Sequence, residues 1–313
     1  MIISASRRTD IPACFSEWFF NRLREGFVLV RNPMNPHRIG KISLLPGDVD
    51  GIVFWTKNPA PMLGRLGELE NRTYYFQFTL NAYGKDVEPN VPSKNDIVIP
   101  AFQRLSKAIG RDRVVWRYDP ILFNERYTMD YHLKYFRLLA AKLSGFTEQC
   151  TVSFLDCYRR TERNTRPLHI LRPTFGQEAE LMRRFSETAE EFGIRVVACA
   201  EDADFESFGV RRAHCIDRDR LERLGGYRLN VGKDKNQRPA CGCAESIDIG
   251  AYDTCRNGCL YCYANANPAM AGRNFAAHDP FSPLLTGSVG AGDTVAARAA
   301  VSCRDGQMQF GVR

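Results

Sequence analysis

The chain has 313 residues, with 43 Lys and Arg against 36 Asp and Glu, and 11 cysteines. A hydrophobic share of 44% and a charged share of 25% are typical of a globular protein, which excludes a disordered chain, a collagen-like repeat and a coiled coil. No stretch approaches the roughly 18 apolar residues that span a bilayer, and no secretory signal is visible. We therefore expect a cytoplasmic protein whose cysteines are buried fillers or metal ligands rather than disulfides.

Short apolar runs alternate with helical stretches along the first part of the chain. A first strand is predicted at 2–5, followed by a helix at 15–25 and a hairpin that pairs 27–31 with 41–45. Further strands are predicted at 51–56, 73–80, 113–118, 151–155 and 194–198, with the clearest helices at 129–144 and 177–192. This alternation predicts an α/β fold, built as a partial or complete parallel (β/α) barrel of the TIM type.

Polar residues follow the predicted strands directly. In parallel (β/α) barrels the active site lies at the carboxyl ends of the strands. We therefore predict a polar site at one end of the barrel, formed by the segments 6–10, 56–59, 117–120, 156–158 and 199–202.

The composition changes near residue 233. We predict three regions: a barrel-like domain over 1–232, an irregular Cys-rich iron–sulfur segment over 233–283, and a weakly ordered extension over 284–313 that is rich in Gly, Ala and Ser.

Three cysteines in the second region have the spacing of a metal centre. Cys255, Cys259 and Cys262 form a C-x3-C-x2-C motif on a loop that contains Gly258. Such a loop lets the thiolates converge and leaves backbone N–H groups free to donate to the sulfurs. Three thiolates on a [4Fe–4S] cluster leave one iron open, whereas clusters that only transfer electrons usually take four.

The motif, with the aromatic Tyr261 before its last cysteine, resembles the signature of radical S-adenosylmethionine (SAM) enzymes, and the run YCYAN is similar to the spore photoproduct lyase branch. Here the motif follows the β/α units instead of preceding them. That order, together with SRRTDIP at 6–12, FWTKNP at 54–59 and RYDPIL at 117–122, resembles the bacterial family known as domain of unknown function 1848, over roughly residues 1–283. The resemblance implies a [4Fe–4S] cluster, SAM as cosubstrate, and a reductant such as flavodoxin or ferredoxin.

The resemblance also implies roles for the polar strand ends. One cation must neutralise the SAM carboxylate, and we predict Lys57 or Arg117 for it; the alternative is a salt bridge from either to a strand-end carboxylate such as Asp119. Asn58, Asp119 or Asp156 is expected to bind the ribose hydroxyls. Tyr261 and Tyr263 are expected to pack beside the cluster and the adenine.

The substrate is expected at the same end of the barrel. Arg7, Arg8 and Asp10 follow the first strand, and paired arginines favour a phosphate or carboxylate, although Thr9 or Asp10 could instead cap a helix. A net charge of +7 permits an anionic small molecule or a nucleic-acid-derived substrate. The catalytic candidates are therefore Lys57, Arg117, Asp119 and Asp10.

The remaining cysteines form a looser pattern. An auxiliary iron–sulfur cluster or zinc ion is predicted at Cys199, Cys215, Cys241 and Cys243, and one cysteine of the C-x-C pair would be a spectator if a cluster is bound. Free thiols without partner spacing are predicted at Cys14, Cys150, Cys157 and Cys303.

Two alternatives to a radical enzyme remain open. The cysteine motif could hold structural zinc, completed by Cys243 or His278, in a module that binds nucleic acid through its basic surface. The second alternative is a hydrolytic barrel enzyme whose cysteines only stabilise the C-terminal part. The radical enzyme further predicts that the loop over 255–262 folds back beside Lys57 and Arg117, since a radical needs walls that exclude water.

Overall fold

A computed structural model describes residues 1–156, 158–201 and 203–305. Cys157, predicted to be a free thiol, lies outside the described residues. Eleven strands occur in the described part of the chain: β1 (Ile2–Ala5), β2 (Phe27–Arg31), β3 (Arg38–Ser43), β4 (Gly51–Thr56), β5 (Tyr74–Thr79), β6 (Val114–Ile121), β7 (Gln149–Phe154), β8 (Arg195–Ala198), β9 (Arg211–Arg212), β10 (Ile247–Asp248) and β11 (Thr294–Ala297).

The same residues contain eight α-helices: α1 (Ile11–Cys14), α2 (Ser16–Glu25), α3 (Ile99–Ile109), α4 (Met129–Leu143), α5 (Arg159–Thr165), α6 (Phe175–Glu190), α7 (Arg218–Gly225) and α8 (Pro268–Ala276). Shorter helical turns include a 3-10 segment at Ala60–Leu69 and a π turn at Lys94–Val98. None of these helices is long and apolar enough to cross a membrane.

Eight strands form one parallel sheet, in the order β10-β1-β4-β5-β6-β7-β8-β9. The α/β class and the parallel β/α units are therefore confirmed. The pairing of the described strands runs from β10 to β9 without joining those two ends, so closure into a complete barrel is not observed among them. The two-residue strands β9 and β10 were not predicted, because two residues carry no recognisable period.

Strand β10 matters for the site because it brings the Cys-rich segment back to the start of the chain. Ile247 pairs with Ile3 and Asp248 with Ser4, parallel to β1. Strands β1 and β4 are almost wholly buried, as expected for a parallel sheet covered on both faces. The Cys-rich segment is thus attached beside β1, at one edge of the main sheet, by a strand of its own.

A second, three-stranded sheet lies beside the main one. Strands β2 and β3 form the predicted hairpin, and β11 pairs parallel to β3. Strand β11 belongs to the segment 284–313, for which the composition predicts weak order. Its four side chains are exposed, so the strand is held by the backbone ladder rather than by an apolar face that the sequence could reveal.

Candidate functional site

Asp248 fastens the Cys-rich segment to the loop that follows β1. Its carboxylate accepts hydrogen bonds from the hydroxyls of Ser4 at 2.7 Å and Ser6 at 2.8 Å, and from the Arg7 N–H at 2.8 Å. The sequence gives no indication of this role, because Asp248 lies more than 240 residues from its partners.

Asp10 joins three elements at the carboxyl end of the sheet. Its buried carboxylate accepts from the N–H groups of Ala13 at 3.0 Å and Lys57 at 2.7 Å, and from the side-chain amide of Asn257 at 2.9 Å. Asp10 therefore caps α1, as the alternative reading allowed. Because Asn257 belongs to the cysteine loop, the same carboxylate holds that loop beside Lys57, which agrees with the predicted fold-back.

The thiols of Cys255, Cys259 and Cys262 lie close enough to perturb one another electrostatically. Burial raises the pKa of Cys262 to about 11 and that of Cys259 further, while the Lys57 ammonium opposes both shifts. The Ala264 N–H donates to the Cys262 sulfur at 3.4 Å. Backbone donors to these sulfurs are what the loop sequence predicts, and a common centre for the three thiols stays a prediction.

Cys14 lies closer to the thiols of the C-x3-C-x2-C loop than its distance along the chain suggests. A hydrogen bond with the Cys14 thiol, followed by burial, raises the pKa of Cys255 well above its ordinary value. Cys14 lies at the end of α1, and the predicted lack of a partner was wrong, because its thiol contacts Cys255. Its proximity results from the Asp10 cap, which places α1 against the cysteine loop.

Lys57 is already paired with a carboxylate. Its ammonium contacts Glu88 at 2.8 Å, and Lys94 contacts the same carboxylate at 2.6 Å. Tyr261 donates its hydroxyl to Glu88, and Lys57 lies 5.4 Å from the centre of the Tyr261 ring. Burial alone would raise the pKa of Glu88, but the two ammonium groups outweigh it and lower that pKa to about 2. Sequence reasoning missed Glu88, which lies in a loop without a recognisable motif.

Arg117 is also paired, with the carboxylate that the sequence analysis named as the alternative. Its guanidinium donates to Asp119 at 2.6 Å and to the Cys215 sulfur at 2.9 Å. Asp119 accepts a further hydrogen bond from the hydroxyl of Ser153. Arg117 thus belongs to the second cysteine set rather than to the C-x3-C-x2-C loop.

The other predicted ligand residues have mixed positions. Asn58 does not line the cavity described below; its side-chain oxygen accepts from the Ala60 N–H at 3.2 Å and closes a turn. Asp156 lines the cavity and forms an ion pair with Arg238. Tyr263 also lines it and donates its hydroxyl to the Arg7 carbonyl at 2.9 Å.

Cys199, Cys215, Cys241 and Cys243 come together as a second buried set. The sulfurs of Cys199 and Cys215 are 3.0 Å apart. Cys243 shares hydrogen bonds with both Cys215 and Cys241. The predicted convergence of these four residues is therefore observed, and Cys243 lies with this set rather than with Cys255. His278, the other proposed fourth ligand, has its Nδ1 hydrogen-bonded to the Leu285 carbonyl at 2.8 Å.

Both cysteine sets line one cavity of about 1440 Å³. Its walls carry eight basic residues (7, 8, 31, 57, 117, 159, 160 and 238) and five acidic ones (10, 119, 156, 248 and 253), an excess of three positive charges. In residues 1–156, 158–201 and 203–305, no group of three or more His, Cys, Asp or Glu side chains surrounds a point where one metal ion could bind.

Comparison with known proteins finds a family without an assigned activity. The sequence profile of the family described as "Domain of unknown function (DUF1848)" matches residues 2–264. No curated protein matches the chain. A solved structure of a candidate alpha-L-fucosidase from Bacteroides thetaiotaomicron is 12% identical, covers 72% of this chain and 81% of its own, and has a TM-score of 0.27.

Proposed function

We propose that this chain, which belongs to the DUF1848 family, is a radical SAM-type enzyme that holds a [4Fe–4S] cluster through Cys255, Cys259 and Cys262. One observation carries the proposal. The three thiols line one large cavity at the carboxyl end of a parallel sheet, and the walls of this cavity carry thirteen charged residues. A structural zinc site would need a fourth ligand, for which Cys14 beside Cys255 is available, but it would need no adjoining cavity, so the cavity favours the cluster.

The residues around the thiols suit a cluster. Lys57 places a buried positive charge beside Cys259, and it opposes the burial that would keep this thiol protonated. The Ala264 N–H donates to Cys262, and hydrogen bonds of this kind tune iron–sulfur centres. When bound, the cluster would supply the electron that cleaves SAM into methionine and a 5′-deoxyadenosyl radical.

Lys57 and Arg117 already have carboxylate partners, so other groups are also needed to hold SAM. Three buried polar atoms on residues that line the cavity lack a hydrogen-bond partner in the described part of the chain: Arg7 Nη2, Thr9 Oγ1 and Asn265 Oδ1. Buried polar atoms are costly unless they are paired, so these three are natural contacts for a polar ligand. In this proposal they supplement Lys57 in orienting SAM.

The charge of the cavity supports an anionic substrate, either a small molecule or a nucleic-acid-derived one. The basic residues exceed the acidic ones by three, and Arg8 and Arg160 both stack on the Tyr252 ring at the cavity wall. Arginine beside an aromatic ring suits phosphates and bases alike.

The proposal is tested by anaerobic purification, followed by reduction with dithionite in the presence of SAM. We expect a brown protein with broad absorbance at about 400 nm. We also expect 5′-deoxyadenosine to form. Cys259→Ala should abolish both, because two thiolates hold a cluster poorly.

Cys303→Ser is the matched control, since Cys303 does not line the cavity and should leave the colour and the product unchanged. A reconstituted wild-type protein that binds iron but forms no 5′-deoxyadenosine with SAM would overturn the proposed activity. A colourless wild-type protein would overturn the cluster as well.

A further inference from the structure

Four buried cysteines outside the C-x3-C-x2-C loop come together in the wall of the same cavity. They come from three separate segments: Cys199 follows β8, Cys215 follows β9, and Cys241 and Cys243 lie in the loop before β10. Each is less than 9% exposed. Four thiols from three segments are unlike the scattered cysteines that merely fill a core.

We propose that Cys199, Cys215, Cys241 and Cys243 form a four-thiolate site for a single metal ion of the zinc class. A tetrahedral set of four thiolates is typical of zinc or of iron–sulfur centres. This site is separate from the cluster assigned to Cys255, and it does not depend on the proposed radical chemistry.

The distances between the sulfurs favour one ion over a cluster. Around a tetrahedral zinc ion with bonds of about 2.3 Å, neighbouring sulfurs lie about 3.8 Å apart. The sulfurs of Cys199 and Cys215 are 3.0 Å apart, longer than a disulfide bond of about 2.05 Å. An ion would have to push this pair apart by less than 1 Å, roughly what a small side-chain rotation gives. A cluster of four irons holds its thiolates farther apart and would require a larger displacement of this pair.

The order of contacts indicates that all four thiols are ligands. Cys199 contacts Cys215, Cys215 contacts Cys243, and Cys243 contacts Cys241. No member of the C-x-C pair stands apart as a spectator. A single ion can accept both thiolates of such a pair, which explains the close spacing better than a cluster does.

The surrounding charges suit an anionic metal–thiolate group. Four thiolates on a divalent ion carry a net charge of −2, which must be compensated when buried. Arg117 donates to the Cys215 sulfur at 2.9 Å, and the Ile216 N–H donates to the Cys243 sulfur at 3.4 Å. Arg7 interacts electrostatically with Cys243 and Cys215. These groups form the supporting shell that metal sites use.

The backbone around the site is held in place from the sheet. The Cys215 carbonyl accepts from the Tyr75 hydroxyl at 2.6 Å and from the Gln77 amide at 2.9 Å, both on β5. Gly242 lets the C-x-C turn approach the preceding loop, because a Cβ there would come within 2.8 Å of the His214 ring. The site would therefore tie the loops after β8 and β9 to the Cys-rich segment.

The test is metal analysis of anaerobically purified protein grown with zinc and iron. We expect about one zinc ion per chain in the triple variant Cys255→Ala, Cys259→Ala, Cys262→Ala, which lacks the cluster site. Cys215→Ser should lose at least nine-tenths of that zinc. Cobalt(II) added to the metal-free triple variant should give the intense visible bands of a tetrahedral thiolate site, and zinc should displace it.

Cys150→Ala is the matched control, because Cys150 is equally buried in the same sheet but lies outside the set, and it should keep the zinc. Since Cys215→Ser could fail to fold, chelator-treated protein with all its cysteines is also alkylated, and mass spectrometry maps the labelled thiols. We expect Cys199, Cys215, Cys241 and Cys243 to react only after chelation.

Three results would overturn the site: a folded triple variant without zinc, a folded Cys215→Ser variant that keeps it, or iron with sulfide in its place. Loss of 5′-deoxyadenosine formation by Cys259→Ala is a separate outcome, so failure of this proposal and failure of the proposed function are distinguishable.

Discussion

Glu88 is the residue whose replacement tests the site most sharply. Its carboxylate is 2% exposed and lies between the ammonium groups of Lys57 and Lys94, while Tyr261 of the cysteine loop donates to it. In Glu88→Gln the shape is kept, but two ammonium groups remain buried without a counter-charge. Breaking a buried ion pair by removing one partner is strongly destabilising.

The size of the stability loss expected in Glu88→Gln follows from the pKa of Glu88, which is lowered from 4.5 to about 2. A shift of this size corresponds to about 3 kcal/mol of folding free energy at neutral pH. A carboxyl group with a lowered pKa stabilises the folded state above its unfolded pKa, and that stability is lost as the pH falls through the folded pKa. The difference in free energy of unfolding between wild type and Glu88→Gln should therefore be largest above pH 4.5 and should shrink as the pH falls towards 2.

Urea unfolding from pH 7 to pH 3 measures this difference, and iron analysis shows whether the loop still binds metal. Glu68→Gln is the matched control, because Glu68 pairs with Arg65 at the surface and should change stability by less than about 1 kcal/mol. A Glu88→Gln protein as stable as wild type at pH 7, or a difference independent of pH, would refute the reasoning.

Three further predictions concern neighbouring groups. Cys14→Ser should keep the iron that Cys255→Ser loses, because three thiolates suffice and Cys14 is a neighbour rather than a ligand; iron analysis decides this. Asp10→Ala should lower the free energy of unfolding by about 1–2 kcal/mol through the lost helix cap, and it should also lower iron retention, because Asn257 loses its anchor. Burial lowers the pKa of His132 to about 4, so the neutral ring stabilises the fold fully above pH 6.5. In urea unfolding, the stability advantage of wild type over His132→Gln should therefore fall by about 3 kcal/mol between pH 6.5 and pH 4.

Each of these has its own control or contrary result. Iron loss in Cys14→Ser equal to that in Cys255→Ser would mean four thiolate ligands and no open iron. Thr128→Ala removes the N-cap of α4 away from the cavity, so it should cost similar stability but keep the iron. For His132, a constant difference across the pH range would show that the ring is not held neutral by burial.

Local sequence patterns were sufficient for the regular elements. The predicted strand 51–56 is β4, and the predicted helices 129–144 and 177–192 are α4 and α6 within two residues. Fully apolar runs bounded by polar segments are visible in a window of a few residues, because burial on both faces of a parallel sheet removes polar side chains from the strand itself. The strands β9 and β10 are held by pairing with neighbours rather than by such a run, so they could not be predicted.

Candidate site residues were predictable as types and positions, but their pairing was not. The carboxyl ends of parallel strands converge at one edge, so Asp10 and Lys57 were found from chain order alone. The predicted strand end at Arg117 was wrong, because β6 continues to Ile121 and Arg117 lies within it. Their partners come from elsewhere: Glu88 from an irregular loop, Asn257 from the cysteine loop, and Cys215 from beyond β9. The sequence shows that a charged residue follows a strand, but it does not show whether that residue contacts a ligand or a buried counter-ion.

The sequence by itself determined the parallel β/α units and the cysteine spacing, because both depend on residues that are neighbours along the chain. Only the tertiary structure decided which thiols meet and which charges are neutralised. Cys199 lies near Cys215 because β8 pairs with β9, and Cys243 reaches this pair from the loop before β10. Lys57 is neutralised because burial beside Tyr261 makes an unpaired ammonium too costly, and Glu88 is the carboxylate that the fold brings there.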